Sequence, residues 1–242
     1  TFAAEAEKLG RQAKLAVTVL DEKALTKEGF GGILAVGGGS ARPPRLVRLS
    51  YAPRSARTHL ALVGKGITFD TGGINLKPSD SMLTMKSDMS GAAAVIAAVS
   101  VIAQLGLKVK VTAYAALAEN MPSGTAYRPS DVLTMYGGTT VENYNSDAEG
   151  RLVMADALAR ASEDQPDLVL DVATLTGACV VALGERTAGL MATDDQTADL
   201  VLDAAEAAGE AFWQLPITDE ASDVLKSKVA DLRSAGKRWG GA

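Results

Sequence analysis

The sequence predicts an α/β domain, a sheet covered by helices on both faces. The prediction rests on short apolar runs bounded by Gly and Pro clusters, on two longer segments of helical character, and on the alternation of the two types along the chain. At 242 residues the chain can bury a substantial core. Aromatics make up only 5%, so Ala, Val, Leu and Ile must build that core.

Taken in order, Phe2 to Ala13 alternates charged and small residues and suits a surface helix. Leu15–Leu20, Ile33–Val36, Leu46–Tyr51 and Leu60–Val63 are short apolar runs read as strands. An Ala-rich helix is predicted from about Ser87 to Leu105, closed by Gly106, and a strand from Val109 to Leu117. Val132–Tyr136 and Thr139–Asn143 flank Gly137-Gly138, a hairpin signal. A second helix is predicted from about Gly150 to Ser162, and Leu168–Val172 reads as a buried strand. No internal repeat, low-complexity tract or domain boundary is evident. Thr1 and the closing Gly240-Gly241-Ala242 suggest a piece of a longer protein.

A formal net charge of -5 argues against nucleic acid as a partner, since phosphate binding requires a basic face. The single Cys179 excludes an internal disulfide and suits a reducing cytoplasm. No secretory signal is recognised. The longest run without strong polar groups, Gly91 to Ala103, falls short of the roughly 20 residues of a membrane span.

Chemistry concentrates in two segments. In the first, Val63-Gly64-Lys65-Gly66-Ile67-Thr68-Phe69-Asp70-Thr71-Gly72-Gly73 leads through Lys77 to Asp88. Along a regular strand Lys65 and Asp70 would point to opposite faces, so the glycines are expected to curl the backbone into a turn where both meet. Asp88 is expected near the start of the Ala-rich helix, where the macrodipole favours a carboxylate. The second segment is Asn145-Ser146-Asp147-Ala148-Glu149-Gly150-Arg151-Leu152. Asp147 and Glu149 share a face if the backbone there is extended, and Gly150 and Arg151 open the next helix, whose N-terminus favours an anion. Each segment alone could be a surface turn with a capping acid. Together they gather Asp70, Asp88, Asp147 and Glu149, which could not all stay ionised without concentrated positive charge. Two divalent cations would supply it.

These segments resemble the signature stretches of the cytosol (leucyl) aminopeptidase family. So do Glu119-Asn120-Met121-Pro122-Ser123-Gly124 and Asp171-Val172-Ala173-Thr174-Leu175-Thr176-Gly177-Ala178. Departures are small, such as Ser146 where the family usually has Thr, with Tyr144 ahead of it. The resemblance implies that residues 1–242 are one aminopeptidase catalytic domain, without the family's N-terminal domain and the C-terminal end of the catalytic domain. The implied fold is a mixed, largely parallel sheet in a zinc-peptidase-like three-layer sandwich. Lys65, Asp70, Asp88, Asp147 and Glu149 match the metal ligands, with Asp70 and Glu149 bridging both ions and Asp147 also offering its carbonyl. Lys77 and Arg151 match the catalytic positions, and Met85, Thr174 and Gly177 match positions lining the pocket for the first side chain. Implied cofactors are two divalent ions per chain, Mn or Zn with Co or Mg as further candidates, and bicarbonate held by Arg151 and Gly150.

The implied reaction is removal of the N-terminal residue, Leu or another apolar one, from short peptides by a cytoplasmic homohexamer. A metal-bridging hydroxide would attack the carbonyl, with Lys77 on the oxyanion and bicarbonate as general base. Lys65 must be neutral to ligate a metal. The competing reading is a non-catalytic scaffold or regulatory subunit retaining the fold, which the intact ligand set argues against. A metal-dependent phosphoesterase would be expected to use more His than His59 alone. His59 is read as structural, Cys179 as a small buried hydrophobe, Gly37-Gly38-Gly39-Ser40 as a turn, and Trp213 and Trp239 as packing or interface residues.

Overall fold

The computed structural model describes residues 1–236. Contacts group the chain into two compact units. The first comprises residues 1–174 and 227–234; the second begins at Leu175 and runs to Lys226, with a further stretch from Ala235. No linker or shift of composition marks this division in the sequence. Trp239 lies outside the described residues.

The first unit opens with α1 (Phe2–Gln12), β1 (Ala16–Leu20), α2 (Glu22–Glu28) and α3 (Gly31–Gly37). Strands β2 (Arg45–Tyr51) and β3 (His59–Asp70) follow, then α4 (Ser79–Met82), a 3-10 turn at Met85–Ser87, and α5 (Ser90–Gln104). Next come β4 (Lys110–Asn120), β5 (Val132–Thr134), β6 (Thr140–Glu142), α6 (Glu149–Ser162) and β7 (Leu168–Val172). The second unit holds α7 (Gly177–Leu183), β8 (Ala188–Leu190), α8 (Asp195–Ala208), β9 (Phe212–Gln214) and α9 (Asp219–Asp223). Strand β10 (Leu232–Arg233) belongs to the first unit again and pairs with β6.

The central sheet has the order β1-β2-β4-β3-β7. β2 is antiparallel to both neighbours, while β4, β3 and β7 are mutually parallel, so every strand but β2 runs the same way. Side chains alternate across it as a pleat requires. Val111, Ala113, Ala115 and Leu117 of β4 join Ala6 of α1 and Ala92, Val95, Ile96 and Val99 of α5. Tyr114, Ala116 and Ala118 face Ile33 and Val36 of α3 and Leu152, Val153 and Ala157 of α6. Both faces are thus covered, and the small Ala residues let helices approach closely. Each buried Val, Leu or Ile contributes about 1.5–3 kcal/mol.

Three sequence expectations change. Ile33–Val36 is not a strand but the body of α3. A short apolar run carries no period of its own. Here Asp156 of α6 accepts hydrogen bonds from the Ile33 amide at 2.8 Å and the Tyr136 amide at 2.8 Å, satisfying the helix start from a distance in sequence. β7 is an edge strand and only half-buried, with Asp171 and Val172 exposed, rather than a fully buried one. Val169 packs towards the α6 side and Leu170 towards the α5 side, so its apolar run reflects two partly covered faces. Third, the Gly-rich stretch after Val63 does not leave the sheet. β3 continues to Asp70. The helical stretch Ser79–Gln104 has the length and composition of a membrane span. Its regular part, α5, has 15 residues and lays its buried face on the sheet.

Candidate metal centre

The continuation of β3 builds the site. Its register against β4 shifts between Ile67 and Phe69, leaving Thr68 as an extra residue. In a regular strand Lys65 and Asp70 would diverge; the bulge restores parity, and Asp70 comes opposite Asn120 just as Lys65 comes opposite Ala116. Both side chains then face α6. Gly64 serves packing: a Cβ there would lie 2.5 Å from the Cα of Ala92, so only glycine lets α5 press on the strand. After Asp70 the chain reverses through Gly72 and Gly73, at φ of 86° and 67°, a region that L side chains rarely adopt.

Asp147 and Glu149 meet the cluster by a turn, not by an extended backbone. The Asn145 side chain accepts from the Asp147 amide at 2.9 Å and its carbonyl from the Ala148 amide at 3.0 Å. Glu149 is already the first residue of α6, where the macrodipole favours its charge. Gly150 is packed so tightly that a Cβ would lie 2.6 Å from Lys65 Cε.

The oxygens of Asp70, Asp147 and Glu149 include three within 4.8 Å of one another, the spacing of a shared cation. Lys65 Nζ lies 2.8 Å from Glu149 Oε1 and 2.9 Å from Asp88 Oδ1, and donates to the Thr174 carbonyl at 3.0 Å. Lys77 Nζ lies 2.9 Å from Asp70 Oδ2 and 2.5 Å from Asp147 Oδ1. Asp147 Oδ1 has no partner besides this ammonium. Asp88 Oδ2 is buried with no partner. An unpaired buried carboxylate oxygen is costly, and here the anionic oxygens outnumber the donors aimed at them. The donor set fits divalent cations.

Burial dominates the electrostatics. It pushes the Asp88 and Asp147 carboxyls above their usual range, with Lys65 and Lys77 respectively pulling back. It pushes Glu149 up to about 7. Burial opposes the ammonium of Lys65, but Glu149 and Asp88 outweigh it and hold the pKa above its ordinary value. Lys77 is raised in the same way by Asp147 and Asp70. Arg151 has its pKa lowered by burial, and its Nε has no partner.

Lys65, Asp70, Lys77, Asp88, Asp147 and Glu149 are therefore brought together. Thr174, expected at a substrate pocket, lies against the cluster and donates through Oγ1 to Asp88 Oδ1 at 2.6 Å. Met85 is half-buried in the turn ahead of Asp88. Gly177 opens α7 of the second unit. His59 is buried at the start of β3 against Thr112 Oγ1, 2.9 Å away. Gly38 and Ser40 form the turn after α3. Cys179 is half-buried rather than fully buried, because α7 has no fully buried residue. Trp213 is 63% exposed on a short strand, so it is not a core packing residue. Sequence reasoning assigned no role to Asn75, Asn120, Tyr127 or Ser146, which interlock around the acids. The only sequence signal for Asn120 was its place in the Glu119–Gly124 motif.

Comparison with known proteins identifies the family. The profile of the cytosol aminopeptidase family, catalytic domain, matches residues 1–242. The chain is 64% identical over 243 residues to a "Probable cytosol aminopeptidase" of Cutibacterium acnes, covering 100% of this chain and 48% of the relative. It is 61% identical to a protein of the same name from Micrococcus luteus, covering 100% of this chain and 47% of that one. Among solved structures it is similar to the bottromycin maturation enzyme BotP in complex with Mn, at 48% identity and a TM-score of 0.94, over 99% of this chain and 53% of that one. The chain spans about half the length of the curated relatives it matches. Matched along its full length to one profile, the chain belongs to the cytosol aminopeptidase family, within the catalytic domain.

Proposed function

We propose that residues 1–242 are part of the catalytic domain of a two-metal aminopeptidase that removes Leu or another apolar residue from the N-terminus of short peptides. The observation that carries the reading is the convergence of Asp70, Asp147 and Glu149 oxygens beside Lys65 and the half-unpaired Asp88. These five residues would hold the ions. Manganese is the first candidate, since the similar enzyme BotP was solved in complex with Mn; zinc, cobalt and magnesium are the others. Bound ions would acidify a water and polarise a peptide carbonyl.

The protein's own groups supply the rest. Lys77, with 15% of its side chain exposed, is the cluster's cation nearest solvent, suited to stabilising an oxyanion as ammonium. Lys65 is held as ammonium by its acidic neighbours, so its neutral ligand form requires a cation's charge in place of the proton. No His stands in the cluster, and its four acids are the proposed metal ligands. The unpartnered Nε of Arg151, beside Gly150 at the start of α6, favours a small anion there, and bicarbonate is the proposed general base. Met85 and Thr174 are proposed to line the pocket for the first side chain, a Met adapting to apolar shapes. A cytoplasmic homohexamer is the proposed context.

The test is hydrolysis of a leucine anilide by metal-stripped protein, with manganese or zinc restored and bicarbonate varied. Activity should return with metal. Arg151→Ala should lower turnover about 10²–10⁴-fold and abolish the response to bicarbonate; unchanged turnover and response would remove bicarbonate from the scheme. A metal-loaded protein with no peptidase activity would favour the scaffold reading.

A further inference from the structure

We infer that Asn120, which the reaction scheme above does not use, is a positioning residue that locks the two acidic loops into one metal-binding geometry. The inference rests on the two-metal reading and extends it. Asn120 closes β4 and is fully buried. Its Nδ2 donates in two directions, to Asp70 Oδ1 at 2.8 Å and to the Ser146 carbonyl at 2.9 Å. One amide thereby ties the end of β3 to the turn that carries Asp147. Asp70 Oδ1 also accepts from the Gly72 amide at 2.8 Å. With that oxygen engaged by two donors, the carboxylate cannot rotate freely, and Oδ2 is presented to Lys77 and the cluster.

The tie is doubled at the Ser146 carbonyl, which also accepts from the Tyr127 hydroxyl at 2.7 Å. Burial and then the charge of Glu149 hold the Tyr127 phenol far above its ordinary pKa, so it remains a donor. Ser146 itself bonds Gly72 O at 2.7 Å and Asn75 Oδ1 at 2.9 Å, closing the network between the loops. Glycine at 73 leaves room: a Cβ would lie 2.9 Å from Asn120 Oδ1 and 3.0 Å from Ser146 Oγ. An aspartate at 120 would lose the donor and face Asp70 with a like charge. A hydrophobic residue would free Asp70 and leave a buried carbonyl with one donor fewer. Groups that orient ligands commonly set metal affinity by a factor of about 10–100.

The experiment measures manganese affinity of the metal-stripped chain by titration calorimetry, alongside the thermal midpoint of the same metal-free samples. Asn120→Ala should weaken manganese binding about 10–100-fold in protein that is folded at the titration temperature. Tyr127→Phe, which keeps the ring and removes only the second donor, should weaken it by about 2–10-fold. A residue that only supports the fold would lower the midpoint and leave the affinity of folded protein unchanged, and that result overturns the inference. Should Asn120→Ala fail to fold, wild-type affinity in Tyr127→Phe overturns it equally. A wild-type chain that binds no manganese, zinc, cobalt or magnesium refutes the two-metal reading itself. Wild-type binding with unaltered variants refutes only the role of Asn120.

Discussion

Lys77 is the residue whose placement says most about chemistry. It stands between Asp70 and Asp147, whose charges keep it an ammonium. A group that serves only to neutralise acids could be replaced by a bound cation; one that meets an oxyanion could not. Lys77→Ala should therefore reduce kcat about 10²–10³-fold with KM little changed, measured in metal-saturated protein. A rise in KM at constant kcat would make Lys77 a substrate-binding group instead. At this scale the acids were legible because carboxylates in two Gly-flanked segments are costly without a purpose. Asn120 and Tyr127 were not, since a buried amide and a phenol acquire meaning only from the carbonyl and carboxylate they reach across the fold. A Cβ on Gly150 would meet the Lys65 side chain, so glycine there also makes room for that lysine.

Elements carry the next level. The bulge at Thr68 does what the glycines were expected to do, turning Lys65 and Asp70 to one face without leaving the sheet. Such a bulge has no sequence period, so β3 could be read only as far as Val63. The helical state of α3 is hidden in the sequence for a related reason: its first turn is bonded by Asp156, more than a hundred residues away. This contact gives a prediction about pH. Burial raises the Asp156 pKa from its ordinary 3.8 to about 6, despite the Tyr136 and Ile33 amides that favour the carboxylate. The folded state thus binds the proton more tightly than the unfolded state, and the stability contributed by this group falls as pH rises from about 4 through about 6. Asp156→Ala, which leaves buried amides unpaired at about 1–3 kcal/mol, should lose more stability relative to wild type at pH 5 than at pH 7.5. Denaturant titrations at both values measure it; a deficit larger at pH 7.5 contradicts the assignment.

At the scale of the molecule, the helix-covered mixed sheet of the first unit followed from the alternation of apolar runs and helical segments. The second unit, from Leu175 onward, did not. Apart from the 14-residue α8, of which only Ala198 and Ala205 are buried, it is built of three-residue strands and short helices, which carry no long period of their own. What joins sequence to chemistry is the meeting of β3, the turn before α5 and the start of α6 at one end of the sheet. Anomalous scattering at the manganese edge, from crystals of this chain grown with manganese, tests that meeting directly. Two peaks should appear about 3.5–4 Å apart, ligated by Lys65, Asp70, Asp88, Asp147 and Glu149. Full manganese saturation with no density among these residues, or with Lys65 turned away from it, would contradict the account.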